Sequence, residues 1–180
     1  MKLKTTLFFC FLLGLALSPV TVAAATKTTD ALCTELAGFS VIGELENVTF
    51  REEGLRLKAR IDTGAETSSL GVASQQKFER DGKKWIQFTV EDPASEKVIE
   101  FERPLIRIAK IKRHGAEALE RPVVKLKITL GAIDITREFT LADRTQYAYP
   151  TLIGRNVLSG KFLVDVNRKF SASRSQGSEE

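Results

Sequence analysis

Short apolar segments separated by turn and charged residues recur along the chain from residue 40 to residue 166, and this pattern constrains the fold most. In residues 55–61 apolar and basic side chains alternate, which is the period of a strand with one buried face. Similar segments occupy residues 85–90, 98–101, 123–130, 133–141 and 162–166. Only residues 70–78 and 155–158 favour a helical turn. The sequence therefore predicts an all-β fold, closed or sandwiched.

The first 25 residues have the features of a secretory signal peptide. Lys2 and Lys4 precede an apolar run at residues 7–17, and three alanines at residues 23–25 supply the small side chains that signal peptidase needs. The run is shorter than the roughly 20 apolar residues of a permanent membrane span. We therefore expect export to the periplasm or secretion, with no integral membrane segment after cleavage. An uncleaved, membrane-anchoring N-terminus is the alternative.

Charge and cysteine content narrow the possible classes of protein. Loss of Lys2 and Lys4 would lower the formal net charge of +4 by two, and a nearly balanced chain disfavours a nucleic-acid partner. Loss of Cys10 would leave Cys33 alone, so no intramolecular disulfide could form. Stability must therefore come from a hydrophobic core.

Four segments follow from these observations. We expect a signal peptide over residues 1–25, an N-terminal extension over residues 26–40, a single domain over residues 41–170 and a disordered polar tail over residues 171–180.

The candidate reactive residues are those of the tetrapeptide Asp62-Thr63-Gly64-Ala65, directly after the alternating segment 55–61. An acid at a strand end, followed by a small hydroxyl residue and a glycine, forms a tight loop that presents the carboxylate outward. An ordinary surface turn is the alternative interpretation of this tetrapeptide. A second segment, LIGRNVL at residues 152–158, lies some ninety residues downstream and precedes a short helical turn.

Together, RIDTGAETSSL and TLIGRNVL resemble the retropepsins, the single-domain aspartic peptidases. VIGELENV at residue 41 and RKF at residue 168 further resemble a bacterial retropepsin-like aspartic endopeptidase family, whose members often carry the label of an ATP-dependent zinc protease. The resemblance covers residues 41–170. It implies a closed, barrel-like all-β fold with one short helix, forming one half of a homodimer.

The resemblance also assigns roles to residues. Asp62, Thr63 and Gly64 would be catalytic, with Asp62 of each chain at a two-fold axis sharing a proton and activating water, an effect for which aspartic proteases are the standard example. Ala65 and Glu66 would line the substrate. Arg155 and Asn156 would support the loop, with Arg155 paired to Glu66.

A flap is the remaining part of the resemblance. Residues 105–112 and 120–127 would be its arms, and Arg113, His114 and Gly115 at its tip would contact the substrate. The stretch from residue 71 to residue 97 is longer than in minimal viral enzymes, which predicts extra strands or a bordering hairpin.

The sequence contains no motif that would bind the zinc or the ATP named in the family label. No His-Glu-x-x-His is present, His114 is the only imidazole, and no phosphate loop of the Gly-x-x-x-x-Gly-Lys-Ser/Thr kind occurs. We therefore expect no metal, no cofactor and no ATP.

These observations predict an exported aspartic endopeptidase, a hydrolase of peptide bonds acting on a peptide or protein as a homodimer. One alternative is a catalytically silent peptide-binding or scaffolding module on the same fold. The other is a metal-dependent peptidase, as the label of the family suggests.

Overall fold

The computed structural model describes residues 36–93, 95–113 and 116–172 of the 180-residue chain, except for the side chains of residues 112–118. Contacts divide the chain into two units, Met1–Ala37 and Gly38–Glu180. The architecture below is that of the second unit. The predicted signal peptide, most of the predicted extension and residues 173–180 lie outside the described residues.

The chain is all-β with one short helix in its described part, which confirms the predicted fold class. The strands are β1 Ser40–Phe50, β2 Leu55–Ile61, β3 Ser68–Gly71, β4 Ser74–Arg80, β5 Lys83–Asp92, β6 Lys97–Pro104, β7 Arg107–Arg113, β8 Ala116–Leu130, β9 Ile133–Ala142, β10 Thr151–Ile153 and β11 Phe162–Lys169. The helix, α1, is Arg155–Leu158.

Six of the strands close into a barrel in the order β1-β2-β10-β3-β9-β8. The ring closes where β8 pairs antiparallel with β1, with Phe50 opposite Ile128. Strand β11 adds to β1 in parallel, and β7 forms a hairpin with β8. Closure pairs both sides of each barrel strand, so the barrel itself has no open edge.

A second sheet of three strands, β4-β5-β6, is formed by the long stretch after β3, as the extra length predicted. Its inner face packs on the barrel through aromatic side chains. Phe101 stacks on Phe88 with ring centroids 4.9 Å apart and meets Phe50 edge to face at 6.1 Å. Burial of these rings contributes to the hydrophobic core, on which a chain without an intramolecular disulfide depends for its stability.

The prediction of a helical turn at residues 70–78 is wrong. Ser68–Gly71 is a buried strand between β9 and β10, and Ser74–Arg80 pairs with β5. Each pairing partner except β5 comes from more than sixty residues further along the chain, so tertiary hydrogen bonding overrides the local tendency. The predicted helical turn at residues 155–158 is confirmed.

The C-terminal part of the domain extends two residues beyond the predicted boundary at residue 170. Ser171 and Ala172 belong to the predicted tail, but both donate to the carboxylate of Glu46, which is fully buried in β1. The same carboxylate accepts from Gly43 N at 2.7 Å. Because a buried carboxylate is stable only when its oxygens are hydrogen-bonded, Glu46 fixes the end of the domain to the barrel.

No helix in the described part of the chain is long and apolar enough to cross a membrane.

Candidate functional site

The Asp62 loop begins where β2 ends. Asp62 N donates to Ile153 O at 2.9 Å, extending the parallel pairing of β2 with β10 by one bond. The Oδ1 atom of Asp62 accepts from Gly64 N at 2.9 Å and from Ala65 N at 3.2 Å. An aspartate that bonds to the backbone two and three residues ahead fixes a turn. One carboxylate oxygen therefore shapes the loop, and no described residue donates to the other.

The LIGRNVL segment packs against this loop. Arg155 N donates to Ala65 O at 2.8 Å, and Asn156 N donates to Glu66 O at 3.1 Å. A Cβ atom at Gly154 would lie 2.9 Å from Ala65 O and 3.0 Å from the carbonyl carbon of Thr67. Only glycine allows the two segments to approach this closely.

Asn156 ties the helix to two barrel strands. Its Oδ1 atom accepts from Ser68 N at 2.9 Å and from Ser68 Oγ at 2.8 Å, and its Nδ2 atom donates to Glu138 O at 2.8 Å. Ser68 Oγ in turn accepts from Gly154 N at 3.0 Å. This network joins β3, β9, β10 and α1, so the Asp62 loop rests on a rigid base.

Arg155 contacts the loop differently from the prediction. Its Nη1 atom donates to the carbonyls of Thr63 and Gly64, at 3.1 and 2.6 Å. No ion pair between Arg155 and Glu66 exists among the described residues, because the guanidinium is turned toward the loop carbonyls. Thr63 and Gly64 are exposed on the outer side of the loop.

A cavity of about 740 Å³ lies on the other side of the loop, bordered by β3, β7, β8 and β9. Asp62, Ala65 and Glu66 line it from the loop. The lining also contains four cationic residues from β7, β8 and the segment after β9, which are Arg107, Lys110, Arg121 and Arg144. Cationic residues thus outnumber the acids in the lining by two to one.

Three of these cations lack an acidic partner. Arg107 forms an ion pair with Glu138 at 2.9 Å, but within the described ranges no carboxylate lies within 4.0 Å of Lys110, Arg121 or Arg144. Arg144 is held by other contacts: its Nε atom donates to Tyr149 O at 3.1 Å, and its guanidinium lies 4.5 Å from the ring centre of Tyr147. The cavity is therefore poised to attract anions.

The electrostatics of Arg144 agree with this description. Burial lowers the pKa of its guanidinium below the usual value; Tyr147 opposes this shift, Arg121 adds to it, and Asp62 opposes it. Because arginine stays protonated regardless, the shift reports an environment that disfavours the charge rather than a titration. An anion bound beside Arg144 would stabilise the charged guanidinium.

Arg121 is the second unusual group in the lining. Its Nε atom is buried and has no hydrogen-bond partner among the described residues. Buried polar atoms are nearly always hydrogen-bonded in native proteins, so an unpaired one calls for an explanation.

Some of the residues that line this cavity were identified from the sequence, and others were not. Ala65 and Glu66 line it, and their contact with a substrate stays a prediction. Arg113 lies in β7 but its side chain is not described, and His114 and Gly115 fall outside the described residues. Arg121, Arg144 and Tyr147 were not anticipated. Arg144 comes two residues after the end of β9, and its position just beyond a strand end, like that of Asp62, was the available signal.

Within the described ranges, no group of three or more His, Cys, Asp or Glu side chains is arranged to hold a metal ion.

Residues 41–175 match the RimB-like family, described as retropepsin-like aspartic endopeptidase RimB. The chain belongs to this family. The match confirms the resemblance carried by the DTGA and GRN segments. A crystal structure of a Legionella pneumophila protein of unknown function is similar, with 30% identity, a TM-score of 0.65, and coverage of 74% of this chain and 98% of that one.

Curated relatives carry a different name. A probable alpha-L-glutamate ligase of Desulfotalea psychrophila is 31% identical over 128 residues, which is 69% of this chain and 28% of the relative. A protein of the same name from Shewanella pealeana is 32% identical over 133 residues, covering 72% and 29%. The chain thus spans less than a third of the length of these relatives.

These names correct the predicted function. The expectation of an aspartic endopeptidase, with a water activated by paired Asp62 residues, is wrong, because the curated relatives are named for ligation of glutamate rather than for proteolysis. The physical reason is that a fold and a loop can be shared by proteins of different activity. What the comparisons do support is that the chain belongs to an enzyme-related family.

Proposed function

We propose that this chain takes part in α-L-glutamate ligation as the component that binds the glutamate-bearing polypeptide, in the cavity beside the Asp62 loop. The names of the relatives support a role in ligation. Because the chain matches less than a third of each relative, the rest of those proteins is long enough to hold the bond-forming chemistry. The matched part would then supply recognition.

The observation that carries the proposal is the charge arrangement of the cavity. Each ligated glutamate adds one carboxylate to the polypeptide, and Lys110, Arg121 and Arg144 are cations without acidic partners in the described structure. A charged lining of this kind attracts a ligand of opposite charge and orients it.

Asp62 and Glu66 line the same cavity from the loop. A carboxylate there repels glutamate side chains but accepts hydrogen bonds from the backbone N–H groups of an extended peptide. One oxygen of Asp62 receives no hydrogen bond from a described residue, so it is available for such a contact. The cavity would therefore bind the peptide backbone on its loop side and the side-chain carboxylates on its arginine side.

The test compares two fluorescein-labelled peptides of equal length, both amidated at the C-terminus, one ending in four glutamates and one in four glutamines. Fluorescence anisotropy with the purified chain should give at least tenfold tighter binding of the glutamate peptide, since about 1.4 kcal/mol of ionic contact suffices for that ratio. The preference should shrink as salt is raised. Equal affinity for the two peptides would contradict the proposal.

Mass spectrometry of the same mixtures provides a second measurement. We expect the glutamate peptide to keep its mass after prolonged incubation. A shortened peptide would contradict a purely recognising role and would point instead to peptide-bond hydrolysis, the finer activity in the family description. A peptide lengthened in the presence of ATP, Mg²⁺ and glutamate would show that the chain ligates by itself, which also contradicts the proposal.

A further inference from the structure

Arg121 and Arg144 come from separate elements but approach each other in the cavity. Arg121 lies in β8, and Arg144 lies in the segment after β9. Both line the cavity that contains Asp62, and the positive charge of Arg121 lowers the pKa of Arg144. Neither arginine forms an ion pair with an acid of the described residues, so a bound anion would favour the charges of both.

The hydrogen bonding of Arg121 points to the same position. Its Nε atom is withdrawn from water and receives no compensation from any described residue. A guanidinium offers its Nε and one terminal nitrogen as a fork of two parallel donors. The buried Nε atom is therefore one half of a fork that a ligand in the cavity could engage.

Arg144 is fixed in place with its terminal nitrogens available. Its Nε atom is used by Tyr149 O, and the face of the guanidinium rests on Tyr147. Within the described ranges no acceptor contacts its two terminal nitrogens. A side chain held in this way loses little conformational freedom when a ligand binds.

The chemistry of the neighbourhood favours a carboxylate over a phosphate. A guanidinium binds either anion with two parallel hydrogen bonds, so the charge of the ligand decides between them. Asp62 lies close enough to affect the charge of Arg144, and a doubly charged anion would be repelled by it more strongly than a singly charged one.

We infer that Arg121 and Arg144 form a binding subsite for one carboxylate of a glutamyl chain, an inference that rests on the proposed function. The carboxylate is either that of a glutamate side chain or that of the chain end. Both present the same planar, singly charged group to the Nε side of Arg121 and to the terminal nitrogens of Arg144.

The experiment uses the purified chain and the variants Arg121→Lys and Arg144→Lys, which keep the charge but remove the fork. Arg51→Lys, on the barrel outside the cavity and paired with Asp134, is the matched control. Affinity is measured for a peptide ending in four glutamates with an amidated end, and for one ending in four glutamines with a free acid end. We expect each cavity variant to weaken binding of one of these peptides about tenfold, as expected for loss of a charged hydrogen bond, and the control to change it less than about twofold.

The peptide that responds identifies the carboxylate: the amidated glutamate peptide reports a side chain, and the free-acid glutamine peptide reports the chain end. If neither peptide responds to Arg121→Lys or Arg144→Lys while the wild type still prefers glutamate, the subsite is wrong and the proposed function stands. If the wild type shows no preference for glutamate, the proposed function itself fails.

A competition experiment tests the chemical class. Glutarate should displace the responding peptide from the wild type at lower concentration than inorganic phosphate does. Stronger displacement by phosphate would overturn the assignment to a carboxylate. Circular dichroism and thermal unfolding of each variant verify that the fold is retained.

Discussion

Asn156→Asp offers a sharp test of how the fold holds the Asp62 loop. The substitution keeps the shape of the side chain and the Oδ1 atom that accepts from Ser68 N and Oγ. It replaces the Nδ2 donor with an oxygen that would face Glu138 O at 2.8 Å. One attractive contact in the network thus becomes a repulsive one.

Two contributions determine how much the substitution lowers the free energy of unfolding. Loss of the hydrogen bond costs about 1 kcal/mol, and a half-buried carboxylate oxygen facing a carbonyl without a donor costs about 1–3 kcal/mol more. We expect the free energy of unfolding to fall by about 2–4 kcal/mol at pH 7. For a domain of this size the midpoint temperature should drop by about 6–12 °C.

The penalty should depend on pH in a defined direction. The introduced carboxyl group, when protonated, could donate to Glu138 O as the amide of Asn156 does, so its pKa in the folded variant should lie above the usual value of about 3.9. The variant should therefore be nearly as stable as the wild type below about pH 4 and should lose stability as the pH rises through the raised pKa. Urea unfolding at pH 4 and pH 7, each against the wild type, measures both values.

Asn167→Asp, an exposed substitution with the same change in charge, is the control and should cost less than about 0.5 kcal/mol. If Asn156→Asp unfolds no more easily than this control at pH 7, or if its penalty is the same at both pH values, the network does not hold the loop as described.

Three further predictions concern other parts of the chain. Glu46→Ala should lower the free energy of unfolding by about 2–6 kcal/mol, because two buried backbone N–H groups lose their acceptor; Glu44→Gln on the same strand removes only surface ion pairs and should cost under about 1 kcal/mol in the same urea titration. N-terminal sequencing of the protein from its native cell should find cleavage near Ala25, whereas an intact Met1 would contradict a signal peptide. We also propose that two copies associate through the exposed outer side of the loop at Thr63 and Gly64; sedimentation velocity should give twice the chain mass, and a single-chain mass at micromolar concentration would refute this.

The contiguous parts of the site were predictable from the sequence. The DTGA tetrapeptide needs only a strand before it and a glycine within it, and the GRN segment needs only a glycine before a short helix. Local spacing contains that information, so the loop and its support were identified together. The alternation in residues 55–61 likewise fixed which face of β2 is buried.

The remaining parts depend on which distant segments become neighbours. Residues 68–71 pair with residues 139–142, and no local pattern near residue 70 indicates that partner. Arg121 and Arg144 lie on different elements and become a pair only when β8 and β9 take their places in the barrel. Function was misjudged for a related reason: the loop identifies a fold, whereas the ligand depends on the charges that the folded chain places opposite it.

Photo-crosslinking measures the central claim directly. A peptide ending in four glutamates, with a benzophenone group next to the first glutamate, is irradiated with the purified chain, and the crosslinked residues are identified by mass spectrometry. The account predicts crosslinks to residues that line the cavity, such as Ile108 and Tyr147, and their loss when excess unlabelled glutamate peptide is added. Crosslinks confined to surfaces away from the cavity would contradict it.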